Sequence, residues 1–164
     1  MDSFILGLIS DTHGLLRPEA LSALQGSRAI IHAGDVGDPF ILERLQAIAP
    51  VHPVRGNVDT EPWCKVLPQT TVVNLALASV YALHNLEHLD LDPNAAGIQI
   101  IVSGHTHKPD SHWRDGVLYI NPGSAGPRRF RLPVGLARLD LCQTPWQPEF
   151  IPFDLHQLRA NHRG

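Results

Sequence analysis

The sequence is short of several things whose presence would direct its reading elsewhere. It has only two cysteines, Cys64 and Cys142, far apart and in no CxxC pattern. Neither a disulfide framework nor a thiolate metal site is indicated, and reduced thiols in a cytoplasmic protein are expected. No apolar run approaches the roughly 18 residues that cross a bilayer, so no membrane partner is expected. The apolar start, Phe4 to Ile9, is preceded by Asp2 and closed by Asp11, without a basic region or a small-residue cleavage site, and reads as a strand, not a signal peptide. Positive charge is not in excess: 13 Lys and Arg face 16 Asp and Glu, a formal net charge of -3. Such a balance gives no field for wrapping a phosphate backbone, which argues against dedicated nucleic-acid binding but allows a nucleotide-sized substrate. With 18% charged and 43% hydrophobic residues, neither extensive disorder nor a coiled coil is expected.

What is present suits one globular unit. A chain of 164 residues predicts a single domain over 1–164. At that length roughly 69% of the unfolded surface is buried, so the core needs no covalent staple. Two skews stand out: Asp outnumbers Glu by 11 to 5, and there are 10 His. Both are metal ligands.

The first half alternates. Phe4 to Ile9 reads as a strand buried on both faces, Pro18 to Leu24 as a helix with Pro in its first turn, and Ala29 to Ala33 as a second strand. Asp38-Pro39 opens a helix reaching toward Ile48, and Val51 to Arg55 is a third strand. This β-α-β-α-β order predicts parallel pairing with right-handed crossovers. The second half is β-rich: Thr70 to Leu75, Ser79 to Leu83, Ile98 to Val102, Val117 to Ile120, Gly135 to Leu141 and Phe150 to Phe153 have strand character. Two sheets face to face with helices outside are expected.

Residues of ligand type stand where the apolar runs give out: Asp11 and His13 after the first, Asp35 after the second and Asn57 after the third. His84 follows SVYAL, and His105 and His107 follow IQIIV. Because α/β sheets bind ligands beyond the carboxyl ends of their strands, these seven side chains are expected to converge on one crevice. Asp11/His13 and His105/His107 are spaced i, i+2, which in extended backbone puts both members on one side. An Asp-x-His sequence has a chance expectation of roughly 0.7 in this composition, whereas Gly104-His105-Thr106-His107 has one of about 0.002, so the latter carries the weight.

In the order SDTH, HAGD, RGNVD, SGHTHKP and INPGSAGPR, these motifs resemble those of the calcineurin-like metallophosphoesterases over most of the chain. The likeness is narrower to the small single-domain prokaryotic phosphodiesterase and phosphatase branch, whose eukaryotic relative is a retromer subunit. The resemblance implies an α/β fold, a four-layer α/β/β/α sandwich of two mixed sheets flanked by helices, with a binuclear metal site. It assigns Asp11, His13 and His107 to one ion, Asn57, His84 and His105 to the other, and Asp35 as the bridge. The implied cofactors are two divalent transition-metal ions, Mn or Fe, Co, Ni or Zn, since mixed N/O ligation without thiolate suits them. The implied activity is hydrolysis of a small phosphodiester or phosphomonoester, by a hydroxide between the ions attacking phosphorus in line. The alternative is a non-catalytic protein-binding scaffold on the same fold.

Several residues depart from the family pattern or need weighing. Val58 stands where the larger superfamily has a histidine acting as general acid. Asp59 is then either a partner behind a ligand histidine or a plain turn residue. His84 is followed by Asn85 where Gly is usual, and His88 is the nearby substitute ligand. Asn57 and Arg128 are candidates for contacting the substrate phosphate, although arginines in a Pro-rich loop are more often solvated. NPGS reads as a turn supporting the GHTH loop. His32, His52, His112, His156 and His162 fit no ligand position and read as structural or surface residues. Substrate identity and any homo-oligomer are left open.

Overall fold

A computed structural model describes residues 2–154, so that His156 and His162 lie outside the described residues. In chain order the elements are β1 (Ile5–Ile9), α1 (Pro18–Leu24), β2 (Ala29–His32), α2 (Pro39–Gln46), β3 (Val51–Pro53), β4 (Thr70–Leu75), β5 (Ala78–Leu83), β6 (Ile100–Val102), β7 (Asp110–Arg114), β8 (Val117–Asn121), β9 (Gly135–Asp140) and β10 (Glu149–Pro152). Short 3-10 helices occupy Pro62–Val66 and Leu86–His88.

Two mixed five-stranded sheets result, in the orders β10-β9-β1-β2-β3 and β4-β5-β6-β8-β7. In the first, β1, β2 and β3 run parallel, as the β-α-β order requires, while β9 joins β1 antiparallel and β10 joins β9 antiparallel at the edge. In the second, β5, β6 and β8 are parallel, with antiparallel edges β4 and β7. The alternation of side chains assigns the faces. Leu6 and Leu8 of β1, with Ile31 of β2, point between the sheets to meet Val80, Ala82, Ile100, Val102 and Ile120, forming an inter-sheet core. The intervening Ile9 and Ile30 face outward under Leu24 of α1 and Ile41 and Leu45 of α2. Helix α2 starts where expected because the Asp38 carboxylate accepts the Phe40 N–H at 2.9 Å and Pro39 fits the first turn.

The architecture is the expected α/β sandwich of two mixed sheets, with flanking layers of unequal helix content. Over the second sheet, Leu86, Leu89 and Leu91 cover Tyr81, Leu83, Ile101 and Tyr119 from the 3-10 turn and irregular chain beyond it, without an α-helix among the described residues. Pro93 and the Asp-rich run around it do not support one. Strand β7 has no counterpart in the apolar runs: all five of its residues are exposed, so it shows no buried-face alternation. Its hairpin with β8 turns at Asp115-Gly116, both at positive φ, the two-residue Asp-Gly signal for such a turn. Among the described residues no helix is long and apolar enough to cross a membrane.

Candidate metal centre

The parallel strands of both sheets end at the same rim of the sandwich, and the loops leaving them are bonded to each other. The Asp11 N–H donates to Gly34 O at 3.0 Å and the His13 N–H to Asp35 O at 2.9 Å, joining the loops after β1 and β2. The Gly104 N–H donates to His84 O at 2.9 Å, joining those after β5 and β6. Several positions on this rim admit only glycine by proximity: a Cβ on Gly56 would run into Asp35 Oδ1, and one on Gly104 into Ser10 Oγ.

The expected convergence occurs, by a different local geometry. Asp11, His13, Asp35, His105 and His107 all have positive φ, between 46° and 73°. The i, i+2 pairs therefore share a side through left-handed backbone, not through strand pleating. Each such non-glycine residue costs about 1–2 kcal/mol, a concentration of strain typical of functional sites.

Around Asp11 Oδ1 stand His107 Nε2 at 3.3 Å, His13 Nε2 at 3.7 Å and His84 Nε2 at 3.9 Å. Asp35 Oδ2 lies 3.1 Å from His84 Nε2 and 3.7 Å from His13 Nε2. Two overlapping triads follow, Asp11, His13, His107 and Asp11, Asp35, His84, each with ligand atoms within 4.8 Å of one another. His105 and Asn57 meet at the rim, Nδ1 to Oδ1 3.2 Å, and the His105 ring packs edge-on to that of His84 with centroids 5.2 Å apart.

The donor set fits divalent cations on its own chemistry. Asp11 Oδ1, His13 Nε2, His84 Nε2 and His107 Nδ1 are buried without hydrogen-bond partners. Orphaned polar atoms of this kind are costly unless something else satisfies them. His84 is the clearest case. Its Nδ1 sits 2.7 Å from Ala33 O, which can only accept, so Nδ1 carries the proton and a neutral ring aims its Nε2 lone pair at Asp35 Oδ2. Two acceptors face each other there unless a cation or an added proton lies between them. This is the usual arrangement for a metal-bound histidine oriented by a backbone carbonyl.

Electrostatics agree. Burial alone raises the pKa of Asp11, but the neighbouring His107 and His13 rings and the Ser10 hydroxyl, which donates to Oδ2 at 2.6 Å, outweigh it and hold the carboxyl well below the usual range. Asp35 is treated likewise: burial raises its pKa, and His84 with the Val58 N–H, 3.0 Å from Oδ1, brings it below its ordinary value. For His84, burial lowers the pKa, but the Asp35 and Asp11 carboxylates prevail and raise it.

Other residues take places that the sequence did not assign. Asp59 serves no histidine: its carboxylate accepts the N–H groups of Val36, Gly37 and Gly56 at 3.2, 3.2 and 2.8 Å, clamping the loops after β2 and β3. No histidine ring is among its hydrogen-bond partners in the described residues. Fully buried His32 is a similar brace. Its Nδ1 accepts the Gly34 N–H at 3.1 Å, so Nε2–H faces Thr12 Oγ1 at 3.0 Å, and the Thr12 hydroxyl donates to Val36 O at 2.8 Å. Burial outweighs the attraction of Asp11 and Asp59 and lowers its pKa to about 4, keeping it neutral. The NPGS turn does brace the GHTH loop: Asn121 Nδ2 donates to Gly104 O at 2.9 Å and Ser124 Oγ to Asp11 O at 3.1 Å. His88 is exposed and is not among the clustered ligand atoms, and Arg128 is exposed.

Comparison with known proteins agrees with this centre. Residues 4–144 match the calcineurin-like phosphoesterase superfamily domain. The chain is 33% identical over 148 residues to a probable metallophosphoesterase of Methanothermobacter thermautotrophicus, covering 83% of this chain and 86% of that protein. It is 28% identical over 161 residues to phosphodiesterase YfcE of Escherichia coli, covering 80% and 84%. Among solved structures, wild-type Vps29 of Entamoeba histolytica complexed with zinc superposes with a TM-score of 0.68 at 20% identity, over 92% of this chain and all of that one. The chain belongs to the calcineurin-like phosphoesterase superfamily.

Proposed function

We propose, from that membership and from the donor set, that the chain is a single-domain, cytoplasmic, binuclear metal-dependent phosphodiesterase. The observation that carries the reading is Asp35 Oδ2, one carboxylate oxygen within 3.7 Å of both His13 Nε2 and His84 Nε2. Asp11, His13 and His107 would hold one ion, and Asn57, His84 and His105 the other, with Asp35 common to both. Asp11 Oδ1 lies close enough to His84 to share in the second site. Manganese is the first metal to try, with Fe, Co, Ni and Zn as alternatives of the same ligand preference. When bound, such ions would act as Lewis acids toward the phosphoryl oxygens and lower the pKa of the attacking water.

The chain's own residues do the rest. Asp11 and Asp35 stay ionised across the neutral range because their pKa values are depressed, so neither draws a proton back from the nucleophile. Exposed Asn57 would meet a phosphate from solvent without adding charge that repels an anionic ester, and Arg128, also exposed, is the candidate cation for that phosphate. Val58 holds Asp35 through its N–H but offers no side-chain proton to a leaving group. A positioned general acid is worth about 10² to 10⁴ in rate, so esters that leave as stable anions should be favoured. The test is a series of aryl phosphodiesters with each divalent metal after chelation. The reading expects metal-dependent hydrolysis that falls steeply as leaving-group pKa rises. No hydrolysis with any metal would favour a scaffold instead.

A further inference from the structure

Beside the metal centre, on the side of Asn57, His84 and His105, opens a cavity of about 310 Å³. Those three ligand candidates form one wall. Arg55, Gln69, Thr70, Asn85, His88 and Asp90, with the apolar Leu83, line most of the remainder. Its size is in the range of small-molecule sites, and its partly apolar wall carries several hydrogen-bonding side chains, the mixed lining that orients a substituent by a few polar contacts.

Arg55 is the unusual member. It is half-buried, and its backbone N–H is engaged with Pro68 O at 2.8 Å, but its guanidinium has neither a hydrogen-bond nor an ion-pair partner among the described residues. An arginine partly removed from water normally has an anionic or carbonyl partner, because desolvating its charge is costly and its donor fork suits carboxylate and phosphate. The carboxylate that lines the cavity, Asp90, is exposed, so its charge is screened by solvent. The metal centre would take the scissile phosphate. Arg55 is then left for a second anion on the same molecule.

We infer that Arg55 is a specificity-determining residue of the proposed phosphodiesterase, selecting diesters whose non-leaving substituent carries a further phosphate, with that substituent seated in the cavity and its hydroxyls or base meeting Gln69, Asn85 and Asp90. The inference rests on the phosphodiesterase reading for the position of the scissile group. It commits to a dianionic-ended, nucleotide-sized substrate.

Two substrates isolate the effect: thymidine 5′-(4-nitrophenyl phosphate) with and without a 3′-phosphate, which share a leaving group and differ by one anion. For the metal-loaded wild type, kcat/KM should be at least about tenfold higher for the 3′-phosphorylated ester, mainly through KM. Arg55→Gln should reduce that ratio to near one and Arg55→Lys should recover part of it, a pattern that a general loss of folding does not produce. Calorimetric binding supplies a readout independent of turnover: wild-type protein should bind thymidine 3′,5′-bisphosphate at least about tenfold tighter than thymidine 5′-monophosphate, and Arg55→Gln should not. A wild type that hydrolyses the two esters equally well or binds the two nucleotides equally tightly, or an Arg55→Gln variant that keeps the ratio, overturns the inference. Discrimination in binding with no hydrolysis of either ester would instead overturn the phosphodiesterase reading and leave the role of Arg55 standing.

Discussion

The inter-sheet core and the rim above it obey opposite rules. Between the sheets, Leu6, Leu8, Ile31, Val80 and Ile100 are fully buried, apolar, in regular strands and hydrogen-bonded by ladder partners. A few residues further along the same strands, Asp11, His13, Asp35, His105 and His107 adopt left-handed backbone and crowd polar atoms together, several without partners. Packing in the first region stabilises what the second destabilises. Stability and chemistry should therefore separate by position along a single strand, β1 and its continuation being the sharpest case.

Substitutions at the two ends of that contrast should give the largest effects. Asp35→Asn keeps the shape but removes a charge shared by two histidine groups, so turnover of bis-4-nitrophenyl phosphate and bound metal should both fall, the former by several orders of magnitude. Midpoints of urea unfolding for the metal-free proteins should fall only modestly in the variant, since the depressed pKa of Asp35 means that its charge is favoured in the fold. Leu8→Ala should do the reverse: about 2–5 kcal/mol less stable in the same unfolding experiment, with an unaltered metal-to-protein ratio in the folded fraction. An Asp35→Asn protein that unfolds readily would dissolve the separation.

Acid should act next in size. His32 has a folded pKa of about 4 against 6.5 for the free side chain, so between those pH values the unfolded chain binds the extra proton and stability falls as pH drops. The loss from this group is roughly 3 kcal/mol by linkage, complete once pH is below both values. Asp11 and Asp35, with depressed pKa values, add a further loss at lower pH. His84 opposes them in metal-free protein: its raised pKa gives stability that is lost as pH rises through it. Unfolding of metal-free wild type and His32→Gln from pH 7 to 4 measures the difference, and parallel curves would remove His32 from the account.

The smallest effect tests strain directly. His105 is exposed with φ of 73°, so His105→Gly relieves a left-handed residue at the expense of greater unfolded-state freedom. Metal-free stability should change little, by at most about 1 kcal/mol and upward if at all, while metal affinity drops. A clear destabilisation would mean that its bond to Asn57 outweighs the strain.

How much of this was legible follows from what each feature needs. Strand β4 has the bounds that its apolar run predicts, Thr70–Leu75, and α2 starts at its Asp38 cap, because local pattern and local capping settle them. The seven ligand candidates were legible from their order at strand ends. Strand β7 was not, since an exposed edge carries no hydrophobic period and only Asp115-Gly116 marked it. The left-handed backbone of the ligands was hidden too: five Asp and His positions leave no glycine to signal it. Asp59 was left between two roles because its partners are backbone N–H groups, which every residue has, and which only the crossing of two loops brings together.

The central claim is that two divalent ions sit on this rim and are needed for phosphodiester hydrolysis. It is tested most directly by titrating Mn²⁺ into chelated wild-type protein while following both bound metal and turnover of bis-4-nitrophenyl phosphate. The account predicts saturation at two ions per chain, with turnover appearing as the second binds. Full turnover in the chelated protein, or no turnover at any metal occupancy, would contradict it.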